Sequence, residues 1–240
     1  MGLFSKKVKL DDKTMRNGAP LIVLADPSSA VAEEFRTVTT NIKFAIIGNK
    51  DKTISVTSSN PSEGKSFFIA NLAITFANQN ERTLLIDADL RRSTVHRTFM
   101  VSNKSGLSNL LSDDLDSSEV IQHTNIKNLD VITSGPIPPN PAELIGSQEF
   151  EKLLADVNSK YDRIIVDTPP VNVATDASLI ASNCYGTILV VPQGIADKNS
   201  FEHALQQLNQ VHAKILGFVM NRSEIKKSAG YGGYYGVNGK

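Results

Sequence analysis

Residues 53–66, TISVTSSNPSEGKS, join a short apolar run to a Gly-Lys-Ser turn, and no other stretch restricts the fold of this chain as tightly. The spacing follows the phosphate-binding loop pattern G-x-x-x-x-G-K-[ST], with Ser59 where the first glycine is usual. Such a loop must lie between a strand and a helix. It works by turning successive backbone N–H groups inward while the helix that starts near Lys65 points its positive dipole end at the phosphates. Neither device requires glycine at position 59. Ser59, Asn60, Pro61, Ser62 and Glu63 therefore form the expected cradle, and Gly64 lets backbone approach phosphate closely. Lys65 supplies a cation for the β- and γ-phosphates of a nucleoside triphosphate, and Ser66 places a hydroxyl suited to magnesium. The plain alternative is an ordinary strand-to-helix turn, which Gly-Lys-Ser after an alternating strand argues against.

Apolar runs and amphipathic stretches then alternate along the chain. RTLLID (82–87), LDVIT (129–133), DRIIVD (162–167), GTILVVP (186–192) and KILGFVM (214–220) read as strands. Helical spacing marks residues 29–47, where Ser28 or Ser29 serves as cap, and residues 65–79, 147–160 and 199–212. This order predicts an α/β fold with a doubly wound, mostly parallel sheet covered on both faces and ligands at the carboxyl ends of strands. We expect a loosely ordered leader over 1–19, one folded domain over 20–222, and a flexible glycine- and tyrosine-rich tail over 223–240. The formal net charge is zero, so there is no global basic field to argue for nucleic acid. Cys184 is the one cysteine, set in an apolar context without a disulfide partner. No apolar stretch reaches the length of a membrane span and the start does not read as a signal peptide, so a cytoplasmic protein is expected. Any membrane anchor would come from another chain.

Two acidic stations follow apolar strands: LLIDADLRR, with Asp87 and Asp89, and RIIVDTPP, with Asp167. Taken singly, an aspartate at a strand end is usually a loop residue or helix cap. Three of them behind a phosphate loop suit another role, holding hydrated magnesium and accepting a proton from an attacking hydroxyl near the γ-phosphate. With the loop, this set resembles the bacterial tyrosine kinases of capsular and exopolysaccharide synthesis, of the separate cytoplasmic type. The likeness runs from LADPSSAVAEEFR through GPIPPNPAELIGS (135–147) to the tail.

The resemblance implies ATP- and Mg2+-dependent autophosphorylation on Tyr231, Tyr234 and Tyr235. It makes Asp87 the base toward the phenol, and gives Ser66, Asp89 and Asp167 to the metal. Arg91 fits either phosphate charge or a surface salt bridge, and Asn221 an adenine contact or a turn. Tyr161 and Tyr185, inside the folded pattern, read as packing residues. The resemblance also implies a homo-oligomeric ring, a transmembrane activator at the inner face of the membrane and a cognate phosphotyrosine phosphatase. The family's subunit motif Glu-x-x-Arg-x-x-Arg survives only as Glu33 and Arg36, with Thr39 in place of the second arginine, so a weaker interface is expected.

Two rivals share these motifs. A positional-switch ATPase of the partitioning type usually carries an extra lysine early in the loop, where this chain has Asn60. A nucleotide-responsive scaffold of an export complex would keep the motifs without turning over. His96, His123, His203 and His212 show no ligand spacing around Cys184 and read as surface or core residues.

Overall fold

The computed structural model of the chain describes residues 10–48, 50–113 and 115–223. Among these residues the strands are β1 Thr53–Ser58, β2 Thr83–Asp87, β3 Ile121–His123, β4 Leu129–Ile132, β5 Arg163–Asp167, β6 Gly186–Pro192 and β7 Ile215–Asn221. They form one sheet in the order β3-β4-β2-β5-β1-β6-β7, parallel throughout except for the β3–β4 pair. The helices are α1 Leu10–Asn17, α2 Ile22–Ala25, α3 Ala30–Ala45, α4 Lys65–Asn78, α5 Val95–Phe99, α6 Leu107–Asp113, α7 Ser117–Val120, α8 Pro141–Ile145, α9 Gln148–Lys160, α10 Asp176–Asn183 and α11 Lys198–Gln210. None is long and apolar enough to cross a membrane. This is the mostly parallel α/β sheet that the alternation predicted, with the phosphate loop between β1 and α4 as its motif predicted.

Strands β1, β2 and β5 are buried along their whole length, which is why they read as unbroken apolar runs and take the middle of the sheet. Their alternating side chains feed two cores. Ile54, Val56, Leu85 and Ile165 face α3 and α4, where Phe35 lies 5.9 Å from the ring of Phe67 and 5.8 Å from that of Phe68. Leu84, Ile86, Ile164 and Val166 face Leu107, Phe150, Leu153 and Val157 of α6 and α9. Helix α4 is apolar on nearly every side because it is wedged between the sheet and α3. Cys184 is buried in the second core, and the hydroxyl of buried Tyr161 donates to Asp130 at 2.8 Å.

Residues 10–19 depart from the expected loose leader. Residues 10–17 are helical, and Ala19 is buried with its N–H donating to the Thr98 hydroxyl at 2.9 Å. Gly18, at φ 80°, lies so close to α5 that a Cβ there would come within 2.7 Å of the Thr98 backbone. Next in the chain, Asn71 of α4 accepts from the Val23 N–H at 3.1 Å and donates to the Pro20 carbonyl at 2.9 Å. Polar side chains inside the fold thus hold a segment with little apolar periodicity of its own. Asn71 is wholly buried, so Asn71→Ala leaves the Val23 N–H and the Pro20 carbonyl without these partners. The expected loss is about 2 kcal/mol, or roughly 4–8 °C in thermal melts. An unchanged melting temperature would contradict docking of this segment.

Candidate active site

The phosphate loop is braced from outside by the end of β7. Gly64 takes φ 96° at the N-terminus of α4, and a Cβ there would lie 1.8 Å from the Asn221 amide nitrogen. That amide donates to the Glu63 carbonyl at 2.9 Å, and the Arg222 guanidinium donates to the Ser62 carbonyl at 2.6 Å. Inside the loop, the Glu63 carboxylate accepts the Ser59 N–H at 2.9 Å. Burial raises the Glu63 carboxyl above its usual range, against hydrogen bonds from Asn60 and Ser59 that lower it. Ser62 adopts φ 66°, so this cradle uses a left-handed residue that carries a side chain.

Sheet register gathers the acids. Asp87, the last residue of β2, is paired with Asp167, the last residue of β5, and Asp167 in turn with Val56 of β1. The Lys65 ammonium lies 2.7 Å from Oδ1 of Asp167 and 4.0 Å from Oδ2 of Asp89. All four groups are buried. Burial alone would lower the lysine, but Asp167 and Asp89 outweigh it and hold its ammonium charged above the ordinary range. Asp87 is pushed well above the ordinary carboxylate range by burial, with Asp167 and Asp89 adding to the shift. Its Oδ2 accepts the Thr94 and Val95 N–H groups at 3.2 Å each, whereas its buried Oδ1 has no hydrogen-bond partner among the described residues.

The loop after β2 completes the site. Asp89 Oδ1 accepts the N–H groups of Arg91 and Arg92 at 3.3 and 3.0 Å. Arg91 forks onto Asp176, with Nε 3.0 Å from Oδ2 and Nη2 3.3 Å from Oδ1. Asp176 is fully buried at the start of α10, so Arg91 ties the Asp89 loop to that helix through more than a surface salt bridge. A cavity of about 600 Å³ opens over these groups, lined by Ser58, Pro61, Ser62, Gly64, Lys65, Ser66, Asp89, Arg91 and Asn221 among others.

Sequence reasoning missed Asp176, Arg222 and the N-terminal wall of this cavity. Arg222, directly after Asn221, was within reach of the strand-end rule; the others carry no local signal. Tyr231, Tyr234 and Tyr235 lie outside the described residues. Glu33 and Arg36 form an exposed pair on α3 at 2.6 Å. Thr39 is buried, donating to the Arg36 carbonyl at 2.8 Å and accepting from the Gln79 amide at 2.9 Å.

A phosphate loop after β1, with Asp87 and Asp167 at the ends of β2 and β5 and Asp89 just beyond β2 around its lysine, defines a protein of the α/β P-loop class. A family described as AAA domain matches residues 51–220. Tyrosine-protein kinase YwqD of Bacillus subtilis (strain 168) is 41% identical over 217 residues, 90% of this chain and 91% of its own. The putative tyrosine-protein kinase CapB of Staphylococcus aureus is 39% identical over 218 residues, 91% of this chain and 96% of its own. The kinase domain of the Escherichia coli tyrosine kinase ETK superposes with a TM-score of 0.81 at 34% identity, covering 88% of this chain and 85% of that domain. The chain belongs to the bacterial tyrosine-protein kinase family.

Asp87→Asn removes a buried charge that faces like charges. Its amide can donate toward the neighbouring carboxylates while its oxygen keeps the N–H groups of Thr94 and Val95. The variant is expected to be more stable by about 1 kcal/mol near neutral pH, roughly 2–4 °C in melting temperature. Asp87 binds its proton more tightly in the fold than in the unfolded chain, so the wild type loses stability as pH rises from the ordinary carboxylate range to the raised value. The difference between the two proteins should therefore shrink as pH falls through that window. Melting curves across pH check this, and a variant destabilised at every pH would contradict the assignment.

Proposed function

We propose that this protein transfers the γ-phosphoryl group of ATP to tyrosine, including Tyr231, Tyr234 and Tyr235 of a neighbouring copy. The observation that carries the reading is the convergence of Asp87, Asp89 and Asp167 around Lys65, with Lys65 and Asp89 lining the cavity, in a chain 41% identical to a named tyrosine kinase. The phenol oxygen bonds to the γ-phosphorus as the bond to the β–γ bridging oxygen breaks. ADP leaves, and the phenol proton passes to Oδ1 of Asp87. A raised carboxyl pKa suits that role, because a base works best when its pKa lies near the working pH. Lys65 serves the transferring phosphoryl group and the loop backbone its neighbours. Arg91 lies where it can add positive charge, while its fork onto Asp176 fixes the Asp89 loop. Asn221, braced on the loop, is the adenine contact.

Magnesium fits the donor set. An unpartnered buried carboxylate oxygen on Asp87 and three acids around one lysine leave negative charge in excess, and all the available donors are oxygens. Ser66, Asp89 and Asp167 are the proposed holders, directly or through water. When bound, the ion supplies neutralisation of charge on the phosphate oxygens.

By likeness to its relatives we place the kinase in the cytoplasm, regulating capsular or exopolysaccharide synthesis at the inner face of the membrane. A transmembrane chain recruits and activates it, and a phosphatase reverses the modification. Glu33 and Arg36 are the proposed contacts of a homo-oligomeric ring, loosened by the charge of phosphorylated tails. Size measurements before and after phosphorylation test that cycle, and an unchanged size would overturn it.

Incubation with ATP, magnesium and the activator's cytoplasmic segment should yield phosphotyrosine on the three tail residues. Lys65→Ala should lower that yield by at least about a hundredfold, since the lysine serves the transferring group itself. ATP hydrolysis without phosphotyrosine under these conditions would instead support a positional-switch ATPase.

A further inference from the structure

Thr98 of α5 lies behind the lining of the cavity, yet its hydroxyl touches two residues that form that lining, Ala19 and Thr94. Its Oγ1 accepts the Ala19 N–H at 2.9 Å and donates to the Thr94 carbonyl at 2.9 Å. That carbonyl shares one peptide group with the Val95 N–H, which donates to Oδ2 of Asp87 at 3.2 Å. Ala19, Thr94, Val95, Thr98 and Asp87 are all buried. A single hydroxyl and a single peptide group therefore join the docked segment of residues 10–19 to the acid that ends β2. The segment meets α5 at two further points. The Arg97 guanidinium donates to the Met15 carbonyl, and Gly18 packs on the Thr98 backbone with no room for a Cβ.

We propose that Thr98 is a positioning residue for phosphoryl transfer, aligning the Asp87 carboxylate through the peptide group between Thr94 and Val95. The proposal rests on the kinase reading above, in which Asp87 is the base. Helix α5 has no side-chain cap of its own at Thr94, and the Asp87 carboxylate takes the Thr94 and Val95 N–H groups instead. With Oδ2 held by those two donors, the plane of the carboxylate follows wherever they lie. A peptide group is planar, so a hydroxyl that fixes the Thr94 carbonyl also fixes the Val95 N–H on its far side. The same hydrogen bond polarises the group and strengthens its donation to Asp87. Five residues of helix do not hold this geometry alone. Loss of the hydroxyl lets the peptide group tilt and leaves the buried Ala19 N–H without this partner. Because Thr98 stands behind the lining, the effect falls on the chemical step and not on nucleotide binding.

Thr98→Val keeps the branched shape and removes the hydroxyl, whereas Thr98→Ser keeps the hydroxyl. Steady-state phosphorylation of a peptide of residues 223–240 by the full-length chain, with ATP, magnesium and the activator's cytoplasmic segment, separates the two. Thr98→Val should lower kcat by about tenfold, with KM for ATP and the affinity and stoichiometry of ADP binding held within about twofold. Thr98→Ser should stay within about threefold of the wild-type kcat. Wild-type kcat in Thr98→Val, or an equal fall in Thr98→Ser, overturns the proposal. So does a fall in kcat matched by a loss of ADP-binding protein, which marks a threonine that serves stability alone. If Thr98→Val does not fold, Arg97→Ala carries the test, because that exposed side chain anchors the same segment at the Met15 carbonyl. A kcat lower by about threefold at unchanged KM supports the proposal, and wild-type kcat overturns it. Failure of the kinase reading looks different: the wild-type protein itself then makes no phosphotyrosine under these conditions.

Discussion

The ion pair between Lys65 and Asp167, 2.7 Å apart and buried, sets the terms for the rest of the site. Both groups have left water, and each depends on the other to offset that cost. Asp89 lies 4.0 Å from the same ammonium, and Asp87 is held beside Asp167 by strand pairing, so one lysine faces three acids. A phosphate that draws Lys65 away leaves Asp167 buried without its cation, a loss of roughly 3–5 kcal/mol unless another cation replaces it. Phosphate and a divalent cation would therefore be coupled occupants of the proposed site, since each would offset the electrostatic cost created by the other. The excess of carboxylates is a reason for the proposed site to bind metal with nucleotide, and it adds to the rise that burial imposes on the Asp87 carboxyl.

The sheet was legible in the sequence because its central strands are buried on both faces and so must be continuous apolar runs. TISVTS, TLLID and RIIVD take the middle places, and the acids that end the last two converge through register. The loop was legible through Gly64, Lys65 and Ser66, which have few uses together other than phosphate. Strand β3 was not, because IQH is three residues long and only partly buried, too short for a period of two to register. The N-terminal segment failed for a different reason. It docks through Thr98 and Asn71, whose hydrogen bonds satisfy backbone groups far away in sequence, and hydropathy has no access to such partners. Arg91 shows the same limit, since its buried partner Asp176 lies 85 positions further along the chain.

Helix α5 joins these two kinds of information. Five residues cannot hold a helix on their own, because the cost of nucleation is not recovered over so few hydrogen bonds. Its geometry is set by what grips its ends: the Asp87 carboxylate at the Thr94 and Val95 N–H groups, and Gly18 and Ala19 packed at Thr98. A carboxylate accepts those N–H bonds more strongly when ionised than when protonated, so the charge state of Asp87 bears on how firmly the helix start is held. The other end of the helix carries the wall formed by residues 13–20. The acid proposed as the base and the wall of residues 13–20 are thus positioned by one element. Rigid placement of both against the phosphate loop is what a reaction dominated by positioning and electrostatics requires of its scaffold.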